Sequence, residues 1–103
     1  MKPCRITALR QTVYSDLVEQ LENALDCPCS LRVGQSFVSV GGQCPAGFCA
    51  EAWSTLRPFV EELACGGGNF YDGWMKNPHS ALLSCNDGFR PMSFLVEVIE
   101  EEI

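Results

Sequence analysis

From Cys4 the apolar and polar positions alternate, with Cys4, Ile6 and Ala8 on one side and Arg5, Thr7 and Leu9 on the other. A period of two predicts a strand from Cys4 to Val13 with its first face buried. The period then changes. Leu17, Leu21 and Leu25 recur every four residues beside Val18 and Ala24, the spacing of an amphipathic helix of about three turns. Tyr14-Ser15-Asp16 offers its start, with Asp16 and Glu19 at capping-box spacing, and Asp26-Cys27-Pro28-Cys29-Ser30 offers its end. A residue before proline is driven out of the helical region.

A second strand is expected from Gln35 to Val40, between Gly34 and Gly41-Gly42. The strongest pattern follows: Cys49, Ala52, Trp53, Leu56, Phe59, Val60 and Leu63 fall on one helical face, while Glu51, Arg57, Glu61 and Glu62 lie largely opposite. This is the expected core helix. Pro58 inside it is expected to kink the axis or start a second helix, and Gly66-Gly67-Gly68 to stop it, with Gly66 suited to a left-handed cap. Ala81 to Cys85 reads as a third strand and Arg90 to Ile99 as a fourth, with Met92, Phe94, Val96 and Val98 on one face and Ser93, Leu95 and Glu97 on the other. Asn86-Asp87-Gly88 between them signals a hairpin, the glycine supplying a positive φ.

The order strand, helix, strand, helix, strand, strand predicts a two-layer α+β domain. Its sheet is expected to have about four strands, mixed or antiparallel, with two main helices packed on one face. At 103 residues the chain is one domain spanning 1–103, large enough for one core and one small pocket.

Seven Lys and Arg against thirteen Asp and Glu give a net charge of −6, which disfavours binding to nucleic-acid phosphates. The charge is uneven: Lys2, Arg5 and Arg10 lie near the start, Glu97 and Glu100 to Glu102 near the end. Such a split suits neighbouring antiparallel strands. The start, Met1 to Thr7, lacks the apolar run of a secretory signal, and no segment approaches the length of a membrane span. The expectation is a cytoplasmic protein that binds neither membrane nor nucleic acid.

Seven cysteines are many for this length, and the number is odd. That argues against a secreted disulfide framework and for thiols that are buried, metal-bound or redox-active. Buried cysteine also serves as a small hydrophobe, so packing is the competing role for the whole set.

Phe48-Cys49-Ala50-Glu51-Ala52-Trp53, Gly67-Gly68-Asn69-Phe70 and Cys85-Asn86-Asp87-Gly88-Phe89-Arg90-Pro91-Met92-Ser93-Phe94, with the opening Cys4-Arg5-Ile6-Thr7, carry a resemblance. Together they resemble a family of small uncharacterised prokaryotic proteins of about this length. The resemblance spans most of the chain and implies no activity. It singles out Cys4, Cys29, Cys49 and Cys85, whereas Cys27, Cys44 and Cys65 are extras. The sequence departs from the family pattern at Asn86, where threonine is common, and at Met92, where valine is common.

Cys4 opens one strand, Cys85 closes another and Cys49 stands at the start of the core helix, so all three are candidates for the layer between sheet and helix. A thiol in a first helical turn lies in the positive field of the helix end, and thiolate is the form that attacks disulfides or binds soft metals. With Cys29, four thiolates would make a closed tetrahedral site for zinc or an iron–sulfur cluster. A redox reading instead uses Cys27-Pro28-Cys29, or Cys49 with a resolving partner. His79, the only histidine, sits in a polar loop and is expected to be solvated. Asp87 is a candidate general base and Arg90 an anion clamp, against the plainer roles of turn former and partner of the acidic tail. Trp53, Phe70, Tyr71 and Trp74 are candidates to wall a ligand pocket, against service in the core. The leading functional expectation is a small thiol-bearing module that binds a soft metal or serves thiol exchange. The alternative is a non-catalytic ligand-binding or homo-oligomeric interaction module, assembled through a sheet edge or the aromatic loop.

Overall fold

The computed structural model describes residues 1–23 and 31–100. Its elements follow in the order β1 (Cys4–Gln11), α1 (Ser15–Leu21), β2 (Ser36–Ser39), α2 (Ala50–Ala64), β3 (Ser80–Ser84) and β4 (Met92–Val98). The four strands form one antiparallel sheet in the order β2-β1-β4-β3, so the fold is a small α+β domain. The basic first strand does lie beside the acidic last one, with Cys4 opposite Val98 and Gln11 opposite Met92. Past the strand ends, Lys2 Nζ lies 3.2 Å from a Glu100 carboxylate oxygen.

Alternation decides which face is buried. Cys4, Ile6 and Ala8 of β1 and Met92, Phe94 and Val96 of β4 point to one side, where they meet Ala52, Leu56, Val60 and Leu63 of α2. The intervening residues stay exposed or half-buried on the other side. Removing these apolar side chains from water is the main favourable contribution to folding, roughly 25 cal/mol per Å².

α2 runs unbroken through Pro58, so no second helix begins there. The proline and Ser54, four residues before it, are both exposed, so the carbonyl left without a helical donor is open to water. The helix ends as expected. Gly66, at φ +92, donates its N–H to Leu63 O at 3.1 Å, and Gly67 donates to Glu62 O at 2.9 Å, the paired bonds of a Schellman cap.

α1 departs from expectation. It shows two turns among the described residues, the turn carrying Ala24 and Leu25 lying outside them, as does the Asp26–Ser30 terminus. Tyr14 is its N-cap, and no side-chain capping bond forms. The helix was expected to share the core face, yet it buries none of its residues, and Leu21 is 70% exposed. The physical reason is that α2 already covers that face, while α1 leaves β1 at the end of the sheet. There Tyr14 N–H donates to Phe89 O at 2.9 Å. Among the described residues, no helix is long and apolar enough to cross a membrane.

Candidate functional site

The direction of α2 sorts the cysteines. Its C-terminal end lies beside the start of β1, where Lys2 N–H donates to Ala64 O at 2.8 Å and the Cys4 thiol lies 4.0 Å from Val60 O. Its N-terminal end therefore lies at the opposite end of the sheet, with the β3–β4 connection. Cys85 belongs to that connection, donating its N–H to Met92 O at 3.1 Å. Cys4 is opposite Val98, six residues further along β4, which at strand spacing is roughly 20 Å away. Four thiolates around one zinc must lie within about 4 Å of one another, so Cys4 is not gathered with Cys49 and Cys85. It is fully buried in the core, and burial pushes its thiol above the ordinary range. Cys27 and Cys29 lie outside the described residues.

Cys49 and Cys85 do share a cavity. Both line a cavity of about 180 Å³ between the start of α2 and the β3–β4 connection, with Leu31, Met92 and Phe94 as apolar wall and Asp87 and Arg90 at its polar side. Each cysteine is half-buried. The Cys85 sulfur accepts the Met92 N–H at 3.3 Å, which fixes its position. Cys49 is the N-cap of α2 rather than a residue of its first turn, and its sulfur makes no capping bond.

Cys44 does not line this cavity. Phe48 N–H donates to Pro45 O at 3.2 Å, closing a turn that brings the chain back between Cys44 and Cys49. The exposed Cys44 has its thiol pushed up, first by desolvation and then by the charge of Cys49. Sequence reasoning set Cys44 aside as an extra, although Pro45-Ala46-Gly47 marks a turn between two cysteines. Even so, among the described residues no three His, Cys, Asp or Glu side chains are arranged to hold a metal ion.

The polar candidates are largely committed to structure. Asp87 Oδ1 accepts the N–H groups of Phe89, at 2.8 Å, and Arg90, at 3.3 Å, the turn role. Gly88 takes no positive φ, because the Asp87 carboxylate organises a longer connection in place of a tight turn. Arg90 pairs with Glu22, Nη1 to Oε1 at 2.7 Å, and among the described residues it has no ion pair with the acidic tail. His79 is exposed.

The aromatic candidates lie elsewhere. Trp53 meets Phe48 edge-on at 6.4 Å between centroids, Phe70 meets Phe59 at 5.0 Å, and Tyr71 meets Trp74 at 5.2 Å. None of Trp53, Phe70, Tyr71 and Trp74 lines the cavity. No family model matches the chain, and no curated protein or solved structure is detectably similar to it.

Proposed function

We propose that this protein is a small thiol-exchange module whose working site is the cavity shared by Cys49 and Cys85. The observation that carries the reading is that two half-buried cysteines, remote in sequence, line one cavity of about 180 Å³. Room of that size admits a group as small as a cysteine side chain. Both residues are also among the four cysteines of the family resemblance.

The exchange balances without a further reagent. Cys49 gives up its proton, and its thiolate attacks one sulfur of a small disulfide, forming a mixed disulfide and expelling the other half as a thiolate. Cys85, likewise deprotonated, attacks the Cys49 sulfur, closing a Cys49–Cys85 disulfide and expelling the second half. The two protons lost by the cysteines end on the two released thiolates. The small disulfide is reduced by two electrons and the protein oxidised by two.

The test treats fully reduced protein with bis(2-hydroxyethyl) disulfide and maps the products by mass spectrometry. The expected product is a Cys49–Cys85 disulfide; Cys85→Ser should stop at a stable mixed disulfide on Cys49. Modification confined to the exposed Cys44 and Cys65, with Cys49 and Cys85 still reduced, overturns the reading.

A second reading takes these sulfurs as ligands of a soft metal, zinc or an iron–sulfur cluster included. It rests on the same pair, two soft sulfur ligands lining one cavity, with the ion's remaining positions left to small molecules. Cadmium titration tests it: ultraviolet thiolate-to-metal absorption should appear in the wild type and vanish in Cys49→Ser. No such absorption at stoichiometric cadmium overturns it.

A further inference from the structure

The cavity shared by Cys49 and Cys85 has a charge pattern that thiol exchange itself does not require. Besides the cysteines, the ionisable side chains that line it are Glu51, Asp87 and Arg90. Arg90 is the only cation among them, and its Nη1 is held 2.7 Å and 2.9 Å from the two Glu22 carboxylate oxygens, so its charge is already offset. Glu51, in the first turn of α2, and Asp87 enter no ion pair among the described residues. Asp87 Oδ1 accepts two backbone N–H groups, which fixes the carboxylate without cancelling its charge. The segment 24–30, which precedes Leu31 of the cavity wall, contains Asp26 and no Lys or Arg.

We infer that this cavity takes small disulfides whose arms end in a protonated amine, in preference to ones whose arms end in a carboxylate; the inference rests on the thiol-exchange reading of the same site. An amine-ended arm matches both sides of the cavity, with its methylenes against Leu31, Met92 and Phe94 and its ammonium toward Glu51 and Asp87. In a cavity of about 180 Å³, the charge of the arm lies close to both carboxylates while its sulfur meets Cys49. A carboxylate-ended arm would face two negative charges. Arg90, engaged by Glu22, does not supply the anion clamp that its residue type alone suggests. With cystamine as substrate the exchange stays balanced: the disulfide is reduced to two cysteamines, and the protein is oxidised to the Cys49–Cys85 disulfide.

The test measures how fast the reduced full chain loses its free Cys49 thiol to cystamine, bis(2-hydroxyethyl) disulfide and dithiodiglycolate, at neutral pH and low salt. These reagents carry positive, no and negative charge. Each rate is divided by that of N-acetylcysteine amide with the same reagent, which removes differences in intrinsic reactivity. Cystamine should then exceed dithiodiglycolate by about tenfold or more, with the neutral reagent between them, and added salt should narrow the gap. Glu51→Gln, at an exposed position, should close part of the gap, and E51Q/D87N should close it. Asp87→Asn keeps the Oδ1 acceptor of its turn, and circular dichroism checks that each variant folds. Glu62→Gln removes one charge near the other end of α2 and should leave the ratio unchanged, which separates the cavity's carboxylates from the net charge of the protein. Equal normalised rates for the three reagents, or a gap that neither variant narrows, overturn this inference and leave thiol exchange standing. A Cys49 inert to all three reagents overturns the exchange reading and this inference with it.

Discussion

Arg90 and Glu22, far apart in sequence, are joined through Arg90 Nη1, which lies 2.7 Å from Oε1 and 2.9 Å from Oε2 of the carboxylate. Only 22% of the arginine side chain and 10% of the glutamate side chain remain exposed. The pair ties the C-cap of α1 to the connection that carries Cys85, at the point where α1 has no apolar anchor. An ion pair of intermediate burial contributes more than the 0–1 kcal/mol of surface pairs and less than the 3–5 kcal/mol lost on breaking a buried one. Arg90→Ala should therefore lower unfolding stability by about 1–2 kcal/mol in urea titration. It should also speed amide exchange over residues 15–21 while the strands stay protected. Unchanged exchange in α1 would show that the helix is held by something else.

Cys4 gives the protein a pH dependence at the alkaline end. Its sulfur is buried, 3.9 Å from Lys2 O and 4.0 Å from Val60 O, contacts that favour the protonated thiol. Burial holds its pKa above the ordinary 9.0. The unfolded chain therefore loses this proton before the folded one does. Stability is level below the unfolded value, then declines as pH rises from about 9.0 toward the raised folded value, because the native state is then the better proton binder. Cys4→Ala should remove that component of the slope in denaturation measured from pH 8 to 10. An identical slope in both proteins would place its origin in other groups.

How much of this was legible in the sequence depends on whether the signal is local. The alternation of β1 and β4 and the apolar face of α2 each follow from burying one side of a regular element, and each was readable. The end of α2 was readable too, since Gly66 meets a need that the backbone itself creates. Convergence was not. Cys4, Cys49 and Cys85 all point into one layer, yet that layer is a whole strand long. Only the direction of α2 over the sheet, set by packing among distant segments, separates Cys4 from the other two. The partner of Arg90 was hidden for the same reason, since Glu22 is brought to it by the path of the chain and not by any spacing. α1 shows the opposite failure, a good local pattern that finds the sheet's core face already covered.

Thiol reactivity should follow burial. Cys44 and Cys65 are exposed, Cys49 and Cys85 half-buried, and Cys4 fully buried. With a bulky maleimide under native conditions, Cys44 and Cys65 should label first, and Cys49 and Cys85 more slowly through the mouth of their cavity. Cys4 should label only at the rate of global unfolding. Peptide mapping over a time course gives the order. Early labelling of Cys4 would contradict its place between β1 and α2.

Gly68 joins the end of α2 to the loop that leads into β3, and it sits at φ +148, a region L side chains rarely enter. A Cβ placed there would collide with the carbonyl oxygen of Pro78, the same oxygen that accepts the Asn69 N–H at 2.6 Å. Gly68→Ala thus imposes backbone strain and also breaks the contact that closes the loop, two costs that together should reach about 2–4 kcal/mol. Gly34 provides the control. It too has a positive φ, at +97, but nothing lies within 4 Å of an added Cβ, so Gly34→Ala should cost only the backbone component, about 1 kcal/mol. Urea midpoints of the two variants measure the difference, and equal shifts would show that the close approach to Pro78 contributes nothing.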